Sequence, residues 1–285
     1  MRPILRYHGG KWKLADWLLS MFPPHRVYVE PFGGAASVLM RKKRSYAEVY
    51  SELDGEIVNV FRVLRDPMQA LALEESIRLT PFARQEFLDS YAPCADAVEQ
   101  ARRTIVRSFM GFGSAAATGF GTGFRSNSNR SGTTPAKDWK NLPTFVKHWT
   151  ERLRGVVIEN RPASEVMPQH DTAETLHYVD PPYPLETRSL ANPYCGKGYR
   201  FEMTNDQHRE LAQTTRALAG MVIISGYPCE LYDLDLYPDW TRRERPHLAD
   251  GARKRTEVVW INAVAAKRLS QEVFDFTAGG VETAK

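Results

Sequence analysis

The fold of this chain can be inferred outward from one short run of residues, Val27-Tyr28-Val29-Glu30-Pro31-Phe32-Gly33-Gly34. Its first residues are β-prone, and the strand that they predict ends at Glu30 in a glycine turn. A helix is predicted before it from Leu14 to Phe22 and another after it from Ala35 to Arg41. Glu48 to Asp54 then predicts a second strand that ends in an acid. Strand, glycine turn, helix, strand and acid open a nucleotide-binding α/β fold.

The sequence pattern becomes helical after residue 55. Apolar residues recur at spacings of three and four between Glu56 and Tyr91, and Thr80-Pro81 is expected to start a helix within this segment. Ala95 to Met110 predicts a further helix. A glycine-rich loop follows from Gly111 to Pro135, and a loop of this length inside a folded protein is usually functional.

The α/β pattern resumes after residue 154. Short hydrophobic runs that end in polar residues predict four more strands, at 155–160, 175–180, 221–226 and 255–262, and the last is expected to close the sheet. We therefore predict an α/β protein in which residues 1–55 and 155–285 form one domain. Residues 56–154 are predicted to form a second, mainly helical domain inserted into the first.

Composition limits the function classes. The chain has 285 residues, 42% hydrophobic and 25% charged, so a disordered or fibrous protein is excluded as a global description. It shows no apolar run near the roughly 18 residues of a membrane span and no apolar signal core, so we expect a cytoplasmic protein. Cys94, Cys195 and Cys229 lie far apart, the histidines show no HExxH spacing, and no metal site is predicted. The net charge of +4 permits a polyanionic partner.

The tetrapeptide Asp180-Pro181-Pro182-Tyr183 directly follows a predicted strand, at the end where ligands bind in open α/β sheets. Its two prolines fix the turn and remove two backbone donors, which leaves carbonyl oxygens and a carboxylate as acceptors beside an aromatic ring. That combination suits a planar substrate with an amino group. The alternative interpretation is a rigid turn with a core tyrosine.

Two glycine motifs predict a nucleotide site. Glu30 to Gly34 lets the backbone approach a bound nucleotide, and Asp54 can accept hydrogen bonds from ribose hydroxyls. Tyr7-His8-Gly9-Gly10-Lys11 precedes the first helix and can hold a carboxylate through the helix N-terminus and the ammonium group. Neither motif has the spacing of a dinucleotide or ATP loop, so another adenosine-containing cofactor is favoured.

In this order the three motifs resemble the Dam-type (class alpha) DNA adenine methyltransferases, and the resemblance covers nearly the whole chain. It implies a Rossmann-like methyltransferase sheet with an inserted DNA-recognition domain at residues 56–154. One departure is Gly34-Ala35-Ala36-Ser37, where the family commonly carries Gly-x-Gly. The residues that the resemblance assigns to cofactor binding are Tyr7, Lys11, Glu30, Pro31, Phe32, Gly33, Gly34, Asp54 and Asp180.

The resemblance also implies a reaction, the transfer of a methyl group from S-adenosylmethionine to the exocyclic amine of adenine in a short duplex sequence. Asp180, Pro181, Pro182 and Tyr183 become the catalytic turn, with Asp180 and the Pro181 carbonyl as acceptors for the amine hydrogens. The methyl group is already activated in the cofactor, so no metal is required. The target adenine has to be flipped out of the duplex, and Tyr183 is the expected stacking partner.

The inserted segment is expected to contact the DNA, because arginine and asparagine bond to base edges and phosphates. The alternative is a solvated loop with ordinary surface arginines. The candidate DNA-binding residues are Arg102, Arg107, Arg125, Asn127, Asn129 and Arg130.

Other functions stay open on the residues alone. They are a methyltransferase that acts on RNA or on a protein glutamine, and a non-catalytic DNA-binding relic of the fold. We expect a monomer, because one active site needs one flipped adenine. The sequence does not separate a solitary bacterial or phage enzyme from one paired with a restriction nuclease, and it does not give the recognition sequence.

Overall fold

The computed structural model describes residues 2–127, 132–187, 198–248 and 254–278, with side chains to residue 271. The strands in this part of the chain form one sheet of seven with the order β3-β2-β1-β4-β5-β7-β6. They are β1 Val27–Glu30, β2 Ala47–Ser51, β3 Val156–Glu159, β4 Thr175–Val179, β5 Met221–Gly226, β6 Thr241–Leu248 and β7 Lys254–Ile261.

The directions of the strands indicate at which edge of the sheet a ligand would bind. Strands β1 to β5 are parallel, while β7 runs antiparallel between β5 and β6. The strand order reverses between β1 and β4, and ligands bind outside the carboxyl ends of strands at such a point. The predicted α/β class with a Rossmann-like sheet is confirmed.

The last part of the sheet differs from the prediction. The strand predicted at 255–262 is β7, but it lies inside the sheet, and β6 forms the edge beyond it. Strand β6 was not predicted because its residues, among them Arg242, Arg243, Glu244 and Arg245, show no apolar alternation. An edge strand with charged side chains resists pairing with other chains, so its polarity suits its position.

Ten α-helices lie in the described residues. They are α1 Ala15–Leu19, α2 Gly55–Arg65, α3 Pro67–Leu79, α4 Arg84–Asp89, α5 Ala97–Met110, α6 Pro135–Lys140, α7 Val146–Leu153, α8 Ala163–Gln169, α9 Asn205–Ala217 and α10 Ala263–Ala278.

The segment between β2 and β3 is helical, as its periodicity predicted, and contains α2 to α7. Its buried residues Phe61, Ile105 and Trp149 belong to the same apolar cluster as Tyr28 and Tyr50 of the sheet. The inserted helices therefore pack directly on the sheet. The division at residues 56 and 154 stays a prediction.

The helix predicted over Ala35 to Arg41 does not form. The segment is a series of turns, because the backbone N–H of Leu39 donates to the Glu30 carboxylate at 3.0 Å instead of to a helical carbonyl. Ala36 also has a positive φ of 51°, which an α-helix does not allow. This is a position where the Dam-type family commonly has glycine.

The bounds of two predicted helices also differ from the prediction. Thr80 does not cap a new helix; it ends α3, and its hydroxyl donates to the Ser76 carbonyl at 2.7 Å. Helix α4 begins only at Arg84. The first helix is shorter than predicted and covers Ala15–Leu19, because residues 20–22 continue as turns and extended chain.

Candidate active site

A cavity of about 280 Å³ opens at the carboxyl edge of β1, β2 and β4. This volume lies close to the lower end of the roughly 300–1,000 Å³ range of small-ligand pockets. The structure brings together on its wall every residue that the resemblance assigned to the cofactor, namely Tyr7, Lys11, Glu30, Pro31, Phe32, Gly33, Gly34, Asp54 and Asp180. Pro182 also lines the cavity, whereas Pro181 and Tyr183 lie in the same turn outside its wall.

The glycine turn presents bare backbone to this cavity. A Cβ atom on Gly33 would lie 2.1 Å from the Tyr50 ring, and one on Gly34, whose φ is +47°, would lie 2.7 Å from the Tyr7 ring. The turn is held from both sides, because the Tyr50 hydroxyl donates to the Gly34 carbonyl at 2.7 Å and the Gly34 N–H donates to Glu52 at 3.0 Å. The close approach of rings and backbone therefore requires glycine at both positions.

Asp54 lines the cavity and has one carboxylate oxygen without a hydrogen-bond partner. It caps α2, and its Oδ1 accepts from the Glu56 N–H at 3.0 Å and from Arg200 at 2.9 Å. Its Oδ2 is buried and has no hydrogen-bond partner. Burial raises the pKa of this carboxyl, although Arg200 works against the rise. A buried unpaired carboxylate oxygen fits a ligand with hydroxyl donors, such as a ribose.

A short segment after β4 covers the cavity. The Tyr199 hydroxyl donates to the His8 carbonyl at 3.2 Å, and its ring lies 6.1 Å from that of Tyr7. Arg200 reaches across to Asp54 and to Glu56, the latter at 3.2 Å. Sequence reasoning did not identify Arg200, because nothing near it in the chain indicates that it meets the end of β2.

Three donors converge on one oxygen of Asp180. Its Oδ1 accepts from Ser225 at 2.8 Å and from Tyr183 at 3.0 Å, and it lies 2.9 Å from the Lys11 ammonium nitrogen. Ser225 stands at the end of β5, next to β4, so the sheet itself brings these groups together. These contacts fix the orientation of the carboxylate.

A second carboxylate, Glu257 of β7, lies behind the first. Its Oε1 lies within hydrogen-bond distance of the same Tyr183 hydroxyl, whose single hydrogen the two carboxylates share, and 3.6 Å from Lys11. Burial raises the pKa of Glu257 to about 7, although Lys11 lowers it. The pKa of Lys11 is raised: burial opposes this shift, but the carboxylates of Asp180 and Glu257 outweigh it. Lys11 therefore holds carboxylates of the protein itself.

Sequence reasoning did not single out Glu257, although a signal was present. It is an acid next to the apolar run Val258 to Ile261 in a predicted strand, and a buried carboxylate needs a partner. Antiparallel pairing of β7 with β5 brings it opposite the catalytic turn.

The ring of Tyr183 is buried between two contacts. Tyr227 meets it edge-on at 4.8 Å and 72°, and the Lys11 ammonium lies 4.8 Å from its centroid. The role of Tyr183 as a stacking partner for a flipped base stays a prediction.

The candidate DNA-binding residues fall into three groups. Arg102 bonds to Glu99 and Glu86, and the buried Arg107 pairs with Glu56, so these two cations are engaged within the protein. We therefore do not retain Arg102 and Arg107 as DNA contacts. Arg125 lies where the loop closes, with its N–H bonded to the Met110 carbonyl at 2.7 Å, and Asn127 follows it. Asn129 and Arg130 lie outside the described residues.

Two negative findings apply to residues 2–127, 132–187, 198–248 and 254–278. No helix there has the length and apolar character needed to cross a membrane. No three histidine, cysteine, aspartate or glutamate side chains there are grouped as potential metal ligands.

The sequence was compared with known proteins. Residues 7–231 match the family described as D12 class N6 adenine-specific DNA methyltransferase. Over its whole length the chain is 22% identical to the DNA adenine methylase of Escherichia coli K12, of which the match covers 98%. It is 23% identical to the type II methyltransferase M.MjaIII of Methanocaldococcus jannaschii, over 76% of this chain and 80% of that protein. The DNA adenine methylase of Vibrio cholerae is also 23% identical, over 70% of this chain and 72% of that protein. The chain therefore belongs to the D12 class of N6 adenine-specific DNA methyltransferases.

Proposed function

We propose that this enzyme binds S-adenosylmethionine in the cavity between the glycine turn and Asp54, and methylates the exocyclic amine of an adenine flipped out of a short duplex DNA sequence. The observation that carries the proposal is the position of Asp180. Its carboxylate is fixed by three donors and stands on the wall of the same cavity that Gly33, Gly34 and Asp54 line.

The cavity residues fit an adenosine-containing cofactor. The unpaired Oδ2 of Asp54 would accept from ribose hydroxyls, and the backbone of Gly33 and Gly34 lines the same cavity. The ring of Tyr7 adds an apolar wall. When bound, S-adenosylmethionine supplies a methyl group that is already activated on a sulfonium.

Asp180 would act on the amine. An adenine amine is a weak nucleophile because its lone pair is delocalised into the ring. Asp180 Oδ2 and the Pro181 carbonyl would accept the two amine hydrogens, which favours a pyramidal nitrogen with an available lone pair. As the nitrogen–carbon bond forms and the carbon–sulfur bond breaks, the amine loses one proton, and Asp180 would receive it.

Base flipping requires a partner for the extruded ring. Flipping costs a few kcal/mol, and base stacking on an aromatic ring contributes about 1–3 kcal/mol. Tyr183 follows the acceptor groups directly and is the proposed stacking surface, so stacking would offset much of the cost. Arg125 and Asn127, on the loop between α5 and α6, are proposed to contact the DNA, together with Asn129 and Arg130. We propose that the enzyme acts as a monomer.

The direct test is long-read sequencing of DNA from an adenine-methylation-deficient host that expresses the chain. We expect methyladenine in one short motif, and none with the Asp180→Ala variant. The purified variant should bind duplex DNA with nearly normal affinity, because Asp180 is not a phosphate contact. Modified RNA or protein glutamine with unmodified DNA would overturn the proposed substrate. We propose a cognate restriction nuclease only if a nuclease encoded beside this chain recognises the same DNA motif.

A further inference from the structure

An open groove of about 610 Å³ lies beside the catalytic turn and shares no lining residue with the cofactor cavity. Its walls include Tyr227 after β5, His247 of β6, and Lys254, Arg255 and Thr256 of β7. No function described above uses these residues.

The groove is continuous with the active site through aromatic contacts. The Tyr227 ring meets Tyr183 edge-on at 4.8 Å, and the Tyr183 hydroxyl bonds to Asp180. On its other side, Tyr227 stacks on His247 with 6.4 Å between ring centroids. Whatever lies in the groove is therefore one aromatic ring away from the catalytic turn.

The charge of the groove is positive. Lys254 is exposed, Arg255 is half-buried with its guanidinium 5.6 Å from the Tyr227 ring, and no carboxylate lines the described part of the groove. Glu257, the acid that follows Thr256, is buried against Lys11 and Tyr183.

His247 lies in the positive field of the groove. Its Nδ1 is buried and has no hydrogen-bond partner. Burial lowers the pKa of this imidazole, and Lys11, Arg255 and Lys13 lower it further, so the ring lies in a positive field. A neutral imidazole can donate one hydrogen bond, and an anion is the partner that this field favours.

We propose that the groove binds the phosphodiester backbone of the target strand beside the flipped nucleotide, through Lys254, Arg255, His247 and the Thr256 hydroxyl. Cations, hydroxyls and ring nitrogens are the groups that contact DNA phosphates. The inference rests on the proposed function, because it needs duplex DNA as the substrate.

The first test compares two double variants of the full chain. Lys254→Ala with Arg255→Ala removes two cations from the groove, whereas Lys43→Ala with Lys267→Ala removes two exposed cations outside the inserted segment as a matched control. We measure duplex affinity at several salt concentrations. For the groove variant, the slope of log affinity against log salt should fall by about one per lost cation, equally for cognate and random duplexes. A slope equal to that of the control variant would overturn the proposal.

The second test locates the contact on the DNA. Single neutral methylphosphonates replace phosphates along each strand of the cognate duplex. In the wild type, neutralising the phosphates that flank the target adenine should weaken binding, and the groove variant should lose most of this sensitivity. Sensitivity at other phosphates should be the same in both proteins. The inference is wrong if the groove variant keeps the wild-type sensitivity at every phosphate, or if it loses sensitivity only on the opposite strand.

The proposed function and the groove can fail separately. If the wild type methylates no DNA, the proposed function fails. If it methylates DNA but the groove variant keeps the full salt slope, only the groove proposal fails. Variants with Lys254→Arg and Arg255→Lys should keep the slope. All variants should bind S-adenosylmethionine like the wild type, which verifies that they are folded.

Discussion

At the level of single residues, Asp180 shows how a carboxylate becomes a directed acceptor. Three donors occupy Oδ1, and charge-assisted hydrogen bonds are stronger than neutral ones, so the group is fixed before substrate arrives. The sequence could predict the place of Asp180, because a strand ends there in a proline turn, and its catalytic role stays a prediction. It could not predict the supporting bonds from Ser225 and Lys11, since these depend on strand order.

Glu257 is expected to act as a positioning residue for this centre. As pH rises through about 7, Glu257 ionises and adds negative charge beside Lys11 and Asp180. That charge should favour the amine as it becomes cationic, so the single-turnover rate of the wild type should rise across this range. Glu257→Gln keeps the size of the side chain but removes the charge. We expect a rate about 10- to 100-fold lower above pH 7, the effect of one hydrogen bond to a charged group.

The shape of the pH profile separates positioning from a merely structural role. In Glu257→Gln the inflection near pH 7 should disappear. Ser225→Ala is the control, because it removes a donor to Asp180 but no titrating group, and it should be slower while it keeps the inflection. An unchanged inflection in Glu257→Gln rules out this role.

At the level of elements, the turn after β1 shows why a helix prediction failed. Ala35 to Arg41 has helical composition, but the Glu30 carboxylate accepts the Leu39 N–H and the Tyr28 hydroxyl, the latter at 2.7 Å. A side chain thereby replaces the helical hydrogen bond. Thr80 shows the same limit, because local sequence does not distinguish a threonine that caps a helix start from one that ends a helix.

Glu30 also makes the stability of this element depend on pH. Burial raises its pKa to about 8 from an ordinary value of 4.5, although bonds from Tyr28 and Leu39 lower it. Between these two values the folded state keeps a proton that the unfolded state releases. Stability is therefore fully present below about pH 4.5 and is lost as pH rises through about 8. Glu257 contributes in the same direction up to about pH 7.

Glu30→Gln should make this pH dependence shallower. The amide is neutral at every pH and can still accept from Leu39 and Tyr28. We expect the urea midpoint of the wild type to fall from pH 5 to 8, and that of the variant to fall less. The range just below pH 8 is the most informative, because Glu257, whose pKa is about 7, is largely ionised there while Glu30 is still titrating. If the urea midpoints of the two proteins change equally with pH, Glu30 does not keep a proton in the folded state.

At the level of the whole molecule, the parallel half of the sheet could be predicted from its apolar runs, and the motifs at the strand ends therefore indicated one shared site. Edge strand β6 could not be predicted, because its charged residues do not alternate with apolar ones. The contact of Arg200 with Asp54 could not be predicted either, since only the fold brings these distant parts of the chain together. The spacing of apolar residues indicates which side chains are buried. These contacts depend instead on which distant segments of the chain meet in the fold.

The cavity is built from the N-terminal segment, the glycine turn and the start of α2, so a ligand that joins them should stabilise the whole fold. A ligand at 100 times its Kd adds about 2.7 kcal/mol to the free energy of unfolding. We expect S-adenosylmethionine to raise the Tm of the wild type. Asp54→Asn keeps the cap of α2, because asparagine also caps helices well, but it removes the carboxylate that faces the cavity.

This variant should therefore keep its Tm without ligand, within the few degrees that about 1 kcal/mol represents, and lose most of the ligand-induced rise. The expected loss of affinity is about 10- to 100-fold, the effect of one hydrogen bond to a charged acceptor. Glu257→Gln is the control, because Glu257 lies outside the cavity wall, and it should keep the full rise. An equal rise in wild type and Asp54→Asn would mean that the cofactor binds without Asp54, and the assignment of its ribose end to this carboxylate would then be wrong.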